Sequence, residues 1–191
     1  MTARWVVDEV KDQRDLDITW QPISLLLKNQ PAEDSDYYAP VLWTYKQLRV
    51  LESVRAAEGE DAVGRLYWEL GARIHHDKDR DFDITDALEA AGLPVSHAEA
   101  FESEAFDDEI RSRHDAGLAL TGEDVGTPII AMDKPGGGRQ GIFGPVITRV
   151  PTSEESLQLW DAMVAMMSID GFWELKRTRT ERPEFGERPD V

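Results

Sequence analysis

The chain has 191 residues and a mass of 21.6 kDa, and its 21 lysines and arginines against 38 aspartates and glutamates give a formal net charge of −17. This charge argues against nucleic acids and anionic membranes as partners, because both would repel it. The length fits one domain or a core with an inserted subdomain, and 41% hydrophobic residues suffice for a buried core. The sequence contains no cysteine, which excludes disulfides, thiolate metal sites and thiol catalysis by these residues.

Neither a targeting segment nor a membrane span is predicted. The first residues lack the long apolar run of a signal peptide. Elsewhere, no stretch approaches the roughly 18 consecutive apolar residues that a membrane helix needs. The expected compartment is therefore the cytoplasm.

The N-terminal part predicts a helix, a strand and a loop. Residues 1–13 place apolar side chains on one helical face, but no capping residue precedes them, so the helix is already under way at the first residue. Residues 17–22 alternate polar and apolar side chains, which is typical of a strand, and residues 23–27 continue the apolar character. Residues 30–36 predict a polar loop.

A helical block follows, from about residue 37 to residue 120. Its patterns predict five helices: residues 40–58, 61–75, 84–91, a fourth that begins near Ser96, and 107–119. Pro40 suits the first turn of the first of these helices. Ser96 with Glu99 three residues later has the spacing of a capping box, which predicts the start of the fourth.

The last third predicts a β-hairpin and a long helix. Residues 128–132 and 141–146 are short β-like runs on either side of the turn at 133–138. Thr152 with Glu155 is a second capping-box pattern and predicts a helix that ends near residue 168.

Two motifs are weak on inspection. The pattern Gly136-x-Gly138-x-x-Gly141 matches a dinucleotide loop, but a strand follows where the phosphate-binding helix should start, so a hairpin turn is the better interpretation. The aspartates at 77, 79, 81 and 83 alternate as in a calcium loop. That loop lacks the required glycine and the final glutamate, which favours a solvated acidic loop.

The histidines and the C-terminal cations also have simple interpretations. No spacing of histidine and glutamate predicts a zinc site. His114 is interpreted first as a residue near a helix C-terminus, where the protonated form is favoured, and second as a general base. The basic patch is interpreted as a solvated tail, with an anion site as the alternative; it comprises Lys176, Arg177, Arg179 and Arg182.

A resemblance to a known family emerges around Thr127 and Pro128, where a proline opens a strand. The run Gly-Glu-Asp-Val-Gly-Thr-Pro at residues 122–128 resembles the DsbA-like branch of the thioredoxin superfamily. Within this branch the chain is most similar to the actinobacterial mycothiol-dependent nitroreductase-like group. The other matching pieces are Arg4-Trp5, Ser24-Leu25 with Asn29, and residues 71–75, 114–117, 143–146 and 174–181.

The resemblance implies an α/β, thioredoxin-like (DsbA-like) core with an all-helical insertion. The core would comprise residues 1–35 and 122–175, the insertion residues 36–121, and a C-terminal tail residues 176–191. Pro128 would be the cis-proline that faces the active site, and the backbone of Thr127 would face a thiol substrate.

One departure from the family is severe. Family members carry a first strand and a Cys-Pro-X-Cys motif at the start of the first helix, where the free N–H groups lower the thiol pKa. Both would precede Met1, so the first core strand is missing and no residue of this chain is assigned a catalytic role. We favour a start assigned at an internal methionine over a true truncation, and we expect residues 1–191 alone to be marginally folded.

The implied function is a cytoplasmic thiol-dependent oxidoreductase with no bound cofactor. Mycothiol or another low-molecular-weight thiol would be the co-substrate, and a disulfide or a nitro-type compound the acceptor. The expected substrate-facing residues are Thr127, Pro128, Asn29, Tyr37 or Tyr38, and less directly His114. The absence of the first core strand would leave an apolar edge exposed, which would also allow a homodimer.

Two alternatives stay open at this point: a non-catalytic DsbA-like binding module, and an isomerase or transferase of the same fold with serine in place of the first cysteine. The coding sequence upstream of Met1 would separate them. Cys-Pro-X-Cys there supports the redox enzyme, serine the isomerase, and a stop codon the binding module.

Overall fold

The computed structural model describes residues 1–134 and 136–189, so Pro135 of the predicted turn and Asp190 and Val191 of the predicted tail lie outside the described residues. The regular elements are, in chain order, α1 (Thr2–Arg4), α2 (Lys11–Arg14), α3 (Leu25–Asn29), α4 (Tyr38–Glu58), α5 (Glu60–Ala72), α6 (Ile84–Ala90), α7 (Asp107–Leu118), β1 (Ile129–Asp133), β2 (Arg139–Phe143) and α8 (Ser153–Met167). The chain is therefore α/β, with helices in the majority. These elements form two compact units.

The first unit comprises Met1–Ile18 and Leu118–Gly186. Helices α1 and α2 are joined without a break by a π-helical turn, Trp5–Val10, so the predicted helix over residues 1–13 is confirmed. Trp5 is fully buried and packs against Trp160 of α8, with ring centroids 5.9 Å apart. Its indole Nε1 donates a hydrogen bond to the carbonyl oxygen of Ser156 at 3.3 Å. Burial of two large aromatic residues ties the N-terminal helix to α8.

The predicted hairpin is confirmed. Strands β1 and β2 pair antiparallel with Ile129 opposite Phe143, and β2 starts two residues earlier than predicted. The turn between them is closed by a hydrogen bond from the Lys134 N–H to the Gly138 carbonyl at 2.8 Å. Because β2 follows this turn directly, the arrangement of a dinucleotide loop followed by a helix is absent here. The capping box of Thr152 and Glu155 is also confirmed at the start of α8.

The second unit comprises residues 19–117 and 187–189. Helices α4, α5, α6 and α7 begin and end within a few residues of the predicted bounds. The predicted second helix continues past α5 as a π-helical segment, Arg73–Asp77. The core of this unit is a cluster of buried side chains: Val50, Val54, Val63, Leu66, Leu70, Leu88 and Leu93.

The predicted strand over residues 17–22 is wrong. Among the described residues the only sheet is the β1–β2 hairpin. The backbone of Trp20 is satisfied by side chains, since its N–H donates to Glu60 Oε2 at 3.3 Å and its carbonyl accepts from Arg55 Nη2 at 2.8 Å. The Trp20 ring packs against Tyr67 and Trp68. Burial nevertheless alternates along this segment as the sequence pattern suggests, since Ile18 and Trp20 are partly buried and Pro22 is buried.

The predicted capping box at Ser96 is wrong as well. Residues Val95–Glu102 form a 3-10 helix whose N-cap is Pro94, and no side chain makes a capping hydrogen bond there. The first bond runs from the His97 N–H to the Pro94 carbonyl, three residues back, at 3.3 Å. A serine cap that the sequence did not reveal begins α3, where Ser24 Oγ accepts from the Leu27 N–H at 3.1 Å.

The grouping of residues into the two units differs in one place from the domain bounds expected from the sequence. Residues 19–35, assigned to the core from the sequence, group here with the helical unit. The domain boundaries and the thioredoxin-like assignment remain predictions. In the part of the chain that the structure describes, no helix combines the length and the apolar character needed to cross a membrane.

Candidate functional site

Asn29 and Tyr37 form the clearest part of the candidate site. Asn29 is the last residue of α3, and Tyr37 is the N-cap residue of α4. The Asn29 Nδ2 atom donates a hydrogen bond to the Tyr37 hydroxyl oxygen at 3.1 Å, and both side chains are exposed. Because the hydroxyl oxygen accepts this bond, the Tyr37 proton remains available to an acceptor atom of a ligand.

Tyr38 lies beside this pair in the first turn of α4 and is half-buried. The loop that joins α3 to α4 is closed by backbone hydrogen bonds from Ser35 to Ala32 and from Tyr38 to Ser35, both at 3.0 Å. These bonds bring Tyr37 back to the end of α3. The structure therefore brings together Asn29 and Tyr37, both of which are predicted from the sequence, and Tyr38 follows Tyr37 in the chain.

His114 lies near a helix C-terminus, as the sequence predicts, but it is buried. It lies in α7, four residues before the helix ends, and is only 3% exposed. Its Nδ1 atom accepts a hydrogen bond from the backbone N–H of Ser24 at 3.1 Å. Burial is the largest effect on the ring and lowers the pKa of His114. The predicted position near a helix end is therefore confirmed, whereas the protonated form is not favoured, because burial lowers the pKa and Nδ1 accepts a hydrogen bond.

Thr127 and Pro128 lie in the first unit, at the entry to β1. Thr127 is exposed, and the Thr127–Pro128 peptide bond is cis, in agreement with the resemblance. The Pro128 carbonyl accepts a hydrogen bond from the Gly144 N–H at 2.8 Å, which continues the hairpin ladder by one pair. Its role in binding a substrate remains a prediction.

Sequence reasoning missed a second feature of this loop region. The Gly144–Pro145 peptide bond is also cis, and the Pro145 carbonyl accepts a hydrogen bond from Thr2 Oγ1 at 2.8 Å. Thr2 is buried, so this hydroxyl belongs to the packing of the N-terminal helix. The signal in the sequence is the Gly-Pro pair, which lies within the predicted second strand.

The acidic loop after α5 makes local contacts. Asp79 accepts from the Asp81 N–H at 3.0 Å, and Asp83 caps α6 by accepting from the Thr85 N–H at 2.9 Å. Hydrogen bonds from Thr85 lower the pKa of Asp83. Among residues 1–134 and 136–189, no group of three or more histidine, aspartate or glutamate side chains is arranged to hold a metal ion.

The comparison with known families decides the membership of the chain. A family model described as Rv2466c-like, mycothiol-dependent nitroreductase Rv2466c, matches residues 1–177. The chain belongs to this family. The resemblance inferred from the motifs around Pro128 is thereby confirmed, and it extends over most of the sequence.

Membership of the Rv2466c-like family supports a mycothiol-dependent oxidoreductase in general. A mycothiol-dependent nitroreductase takes electrons from a diffusible small thiol, so mycothiol dependence supports a small-molecule thiol as a partner. This agrees with the expected thiol co-substrate. The match includes Asn29, Tyr37, Tyr38, His114, Thr127 and Pro128, and it ends inside the basic patch.

Proposed function

We propose that the protein serves the thiol-dependent reduction of a nitro-type or disulfide acceptor, with mycothiol or another low-molecular-weight thiol as electron donor. The observation that carries this proposal is the family match over residues 1–177. Two thiols become one disulfide and release two electrons and two protons. These convert a nitro group into a nitroso group and one water, or an acceptor disulfide into two thiols.

We assign the binding of the acceptor to Asn29 and Tyr37. Asn29 holds the Tyr37 oxygen, so the Tyr37 hydroxyl can donate to a nitro oxygen. Tyr38, next in the chain, would contribute a ring to the same surface. Thr127 and Pro128 would present backbone to the thiol donor, as the resemblance implies.

We further propose that the chain adopts the DsbA-like thioredoxin fold, with the domain bounds 1–35 and 122–175 for the core. Support comes from the first unit, where β1, β2 and α8 follow one another. Strand, strand and helix is the order expected for the second half of a thioredoxin core. The protein would act in the cytoplasm on small molecules, which suits a net charge of −17.

The non-catalytic binding module remains a second candidate, and one observation favours it. The sequence contains no cysteine, so its residues supply no thiolate. Any thiolate in a reaction of residues 1–191 must come from the donor. Under this candidate the chain binds donor and acceptor but does not accelerate electron transfer between them.

The test is to measure binding and rate separately on residues 1–191. Calorimetric titrations with mycothiol and with a nitroaromatic acceptor should each show saturable binding. Lack of saturable binding of either compound would overturn the proposed function. When both are mixed with the chain, the proposed function requires a reduction rate above that of the thiol alone, whereas binding with no added rate supports the non-catalytic candidate.

A further inference from the structure

The start of α3 depends on one buried hydrogen bond from another helix. The Ser24 N–H donates to His114 Nδ1 at 3.1 Å, and both residues are at most 3% exposed. An Nδ1 atom that accepts a hydrogen bond carries no proton, so the ring is neutral with its proton on Nε2. Protonation would place an N–H against the Ser24 N–H and abolish the bond. The buried donor would then be left without its partner, which is costly.

Helix α3 is too short to be stable by itself. It has five residues, Leu25–Asn29, and helices of that length require tertiary contacts. Its first turn is organised around Ser24, whose side chain caps the Leu27 N–H and whose carbonyl accepts from the Lys28 N–H at 3.0 Å. Its last residue is Asn29, which holds Tyr37. Whatever holds Ser24 therefore also places Asn29.

The face of α7 that holds Ser24 extends over one helical turn. Gly117 lies three residues after His114 on the same face of α7. A Cβ atom at Gly117 would lie only 3.0 Å from Ile23 Cδ1, so the glycine allows the segment before α3 to approach the helix closely. His114 and Gly117 thus support two consecutive residues, Ile23 and Ser24.

We propose that His114 is a positioning residue whose unprotonated Nδ1 holds α3, and hence Asn29, in place, and that protonation of the ring releases this helix. The geometry assigns His114 a role through Ser24, without contact to the substrate. The positioning of α3 by His114 is argued from the hydrogen bonds alone. The consequence for acceptor binding rests on the proposed function of Asn29 and Tyr37.

Burial, and then the charged groups around the ring, set the pH at which this happens. Asp115 and Arg111 act on it from its own helix, and Lys28 acts from α3. Burial, Lys28 and Arg111 lower the pKa of His114, and Asp115 raises it, with a net lowering from the ordinary value of 6.5. A lowered folded-state pKa means that the contribution to stability is complete above pH 6.5 and is lost as the pH falls through the folded-state pKa.

The experiment is hydrogen exchange of backbone amides in α3 at neutral and mildly acidic pH, corrected for intrinsic exchange rates. In the wild-type chain, protection of the Leu27 and Lys28 amides should fall about tenfold as the pH is lowered, since one hydrogen bond is lost. His114→Asn places an amide oxygen where Nδ1 lies, so it should keep the protection at both pH values. His114→Leu should lose it at both.

His97→Asn is the matched control, because His97 is the other well-buried histidine of this unit and bonds Ser53 Oγ instead. It should leave protection in α3 unchanged. Protection that is independent of pH in the wild type, or an Asn variant no better than the Leu variant, overturns the proposal. If the Leu variant does not fold, the nitrogen NMR signals of His114 in the wild type decide, since a protonated Nδ1 at neutral pH contradicts it.

Acceptor titrations in parallel separate this inference from the proposed function. If protection and affinity for a nitroaromatic fall together with pH, both stand. If protection responds to pH and affinity does not, the positioning role of His114 stands and the assignment of Asn29 and Tyr37 to the acceptor fails. If protection does not respond, the positioning role fails whatever the affinity does.

Discussion

At the scale of single residues, the Tyr37 hydroxyl is the group whose removal most directly tests the candidate site. Tyr37→Phe removes the hydroxyl group that we expect to donate a hydrogen bond to the acceptor. Because the side chain is 44% exposed, folding stability should hardly change, whereas affinity for a nitroaromatic should fall about five- to tenfold. Isothermal titration measures the affinity. Tyr67→Phe is the control, since Tyr67 is similarly exposed and packs on Trp20. Equal affinities of the two variants would contradict the assignment.

Gly141 shows how closely one residue of the hairpin is packed. A Cβ atom at this position would lie 2.9 Å from Leu120 Cβ, an atom next to the backbone that cannot move aside alone. Gly141→Ala should therefore lower the free energy of unfolding by about 1–3 kcal/mol, as overpacking does. Urea denaturation measures this change. Gly71→Ala is the control, because nothing lies within 4 Å of its Cβ and alanine favours the helix. A Gly141→Ala variant as stable as the wild type would contradict the packing.

At the scale of elements, the N-terminus of α8 is built on a charged cap. A hydrogen bond from Arg149 and one from the Thr152 backbone lower the pKa of Glu155 to about 2. Since the folded-state pKa is lowered, the cap stabilises fully above the ordinary pKa of a glutamate, and its contribution disappears as the pH falls towards 2. Glu155→Gln should be less stable than the wild type at pH 6, and the two should converge near pH 2.

Thermal melts across this pH range check the prediction. Glu154→Gln removes a charge from the same turn without touching the cap, so its difference from the wild type should stay small at every pH. A Glu155→Gln variant that melts with the wild type at pH 6 would show that the cap contributes nothing.

The two capping-box patterns show what local sequence can and cannot predict. Thr152 with Glu155 forms the box and starts α8, whereas Ser96 with Glu99 has the same spacing and forms none. The difference is tertiary, because His97 in the second pattern bonds Ser53 of α4 at 2.8 Å and Pro94 starts a 3-10 helix. Contacts of this kind join residues distant in sequence and leave no local pattern.

In the candidate site, too, some features follow from the sequence and others depend on tertiary contacts. Asn29 and Tyr37 follow from the family resemblance, but the hydrogen bond between them depends on the loop turn at Ser35. The neutral state of His114 could not be predicted either, since it depends on burial against Ser24, 90 residues away in the chain. The alternation at residues 17–22 predicts a strand because burial does alternate along this segment, but among the described residues no strand pairs with it.

At the scale of the whole molecule, the end of the described chain is held by ion pairs. Arg188 contacts the buried Glu69 at 3.3 Å and Asp77 at 3.1 Å, and Arg73 holds the same Glu69 at 2.7 Å. Because Arg73 remains, Arg188→Ala should cost less than about 1 kcal/mol. It should nevertheless raise hydrogen exchange of the backbone amides at positions 187 and 188, measured by mass spectrometry and corrected for intrinsic exchange rates. Arg182→Ala, an exposed arginine of the same tail, is the control, and identical exchange in both variants would contradict the contact.

The net charge of −17 makes the stability of the whole chain dependent on salt. Like charges repel more strongly in the compact state than in the unfolded chain, and raising the ionic strength from 0.01 M to 0.15 M shortens the screening length from about 30 Å to about 8 Å. The melting temperature should therefore rise with sodium chloride over this range, although the same salt weakens the Arg188 contacts. Sucrose at equal osmolarity is the control, because it changes the osmolarity without screening charges. A melting temperature that falls with salt would show that attractive ion pairs, such as Arg49 with Asp107 at 2.7 Å, outweigh the repulsion.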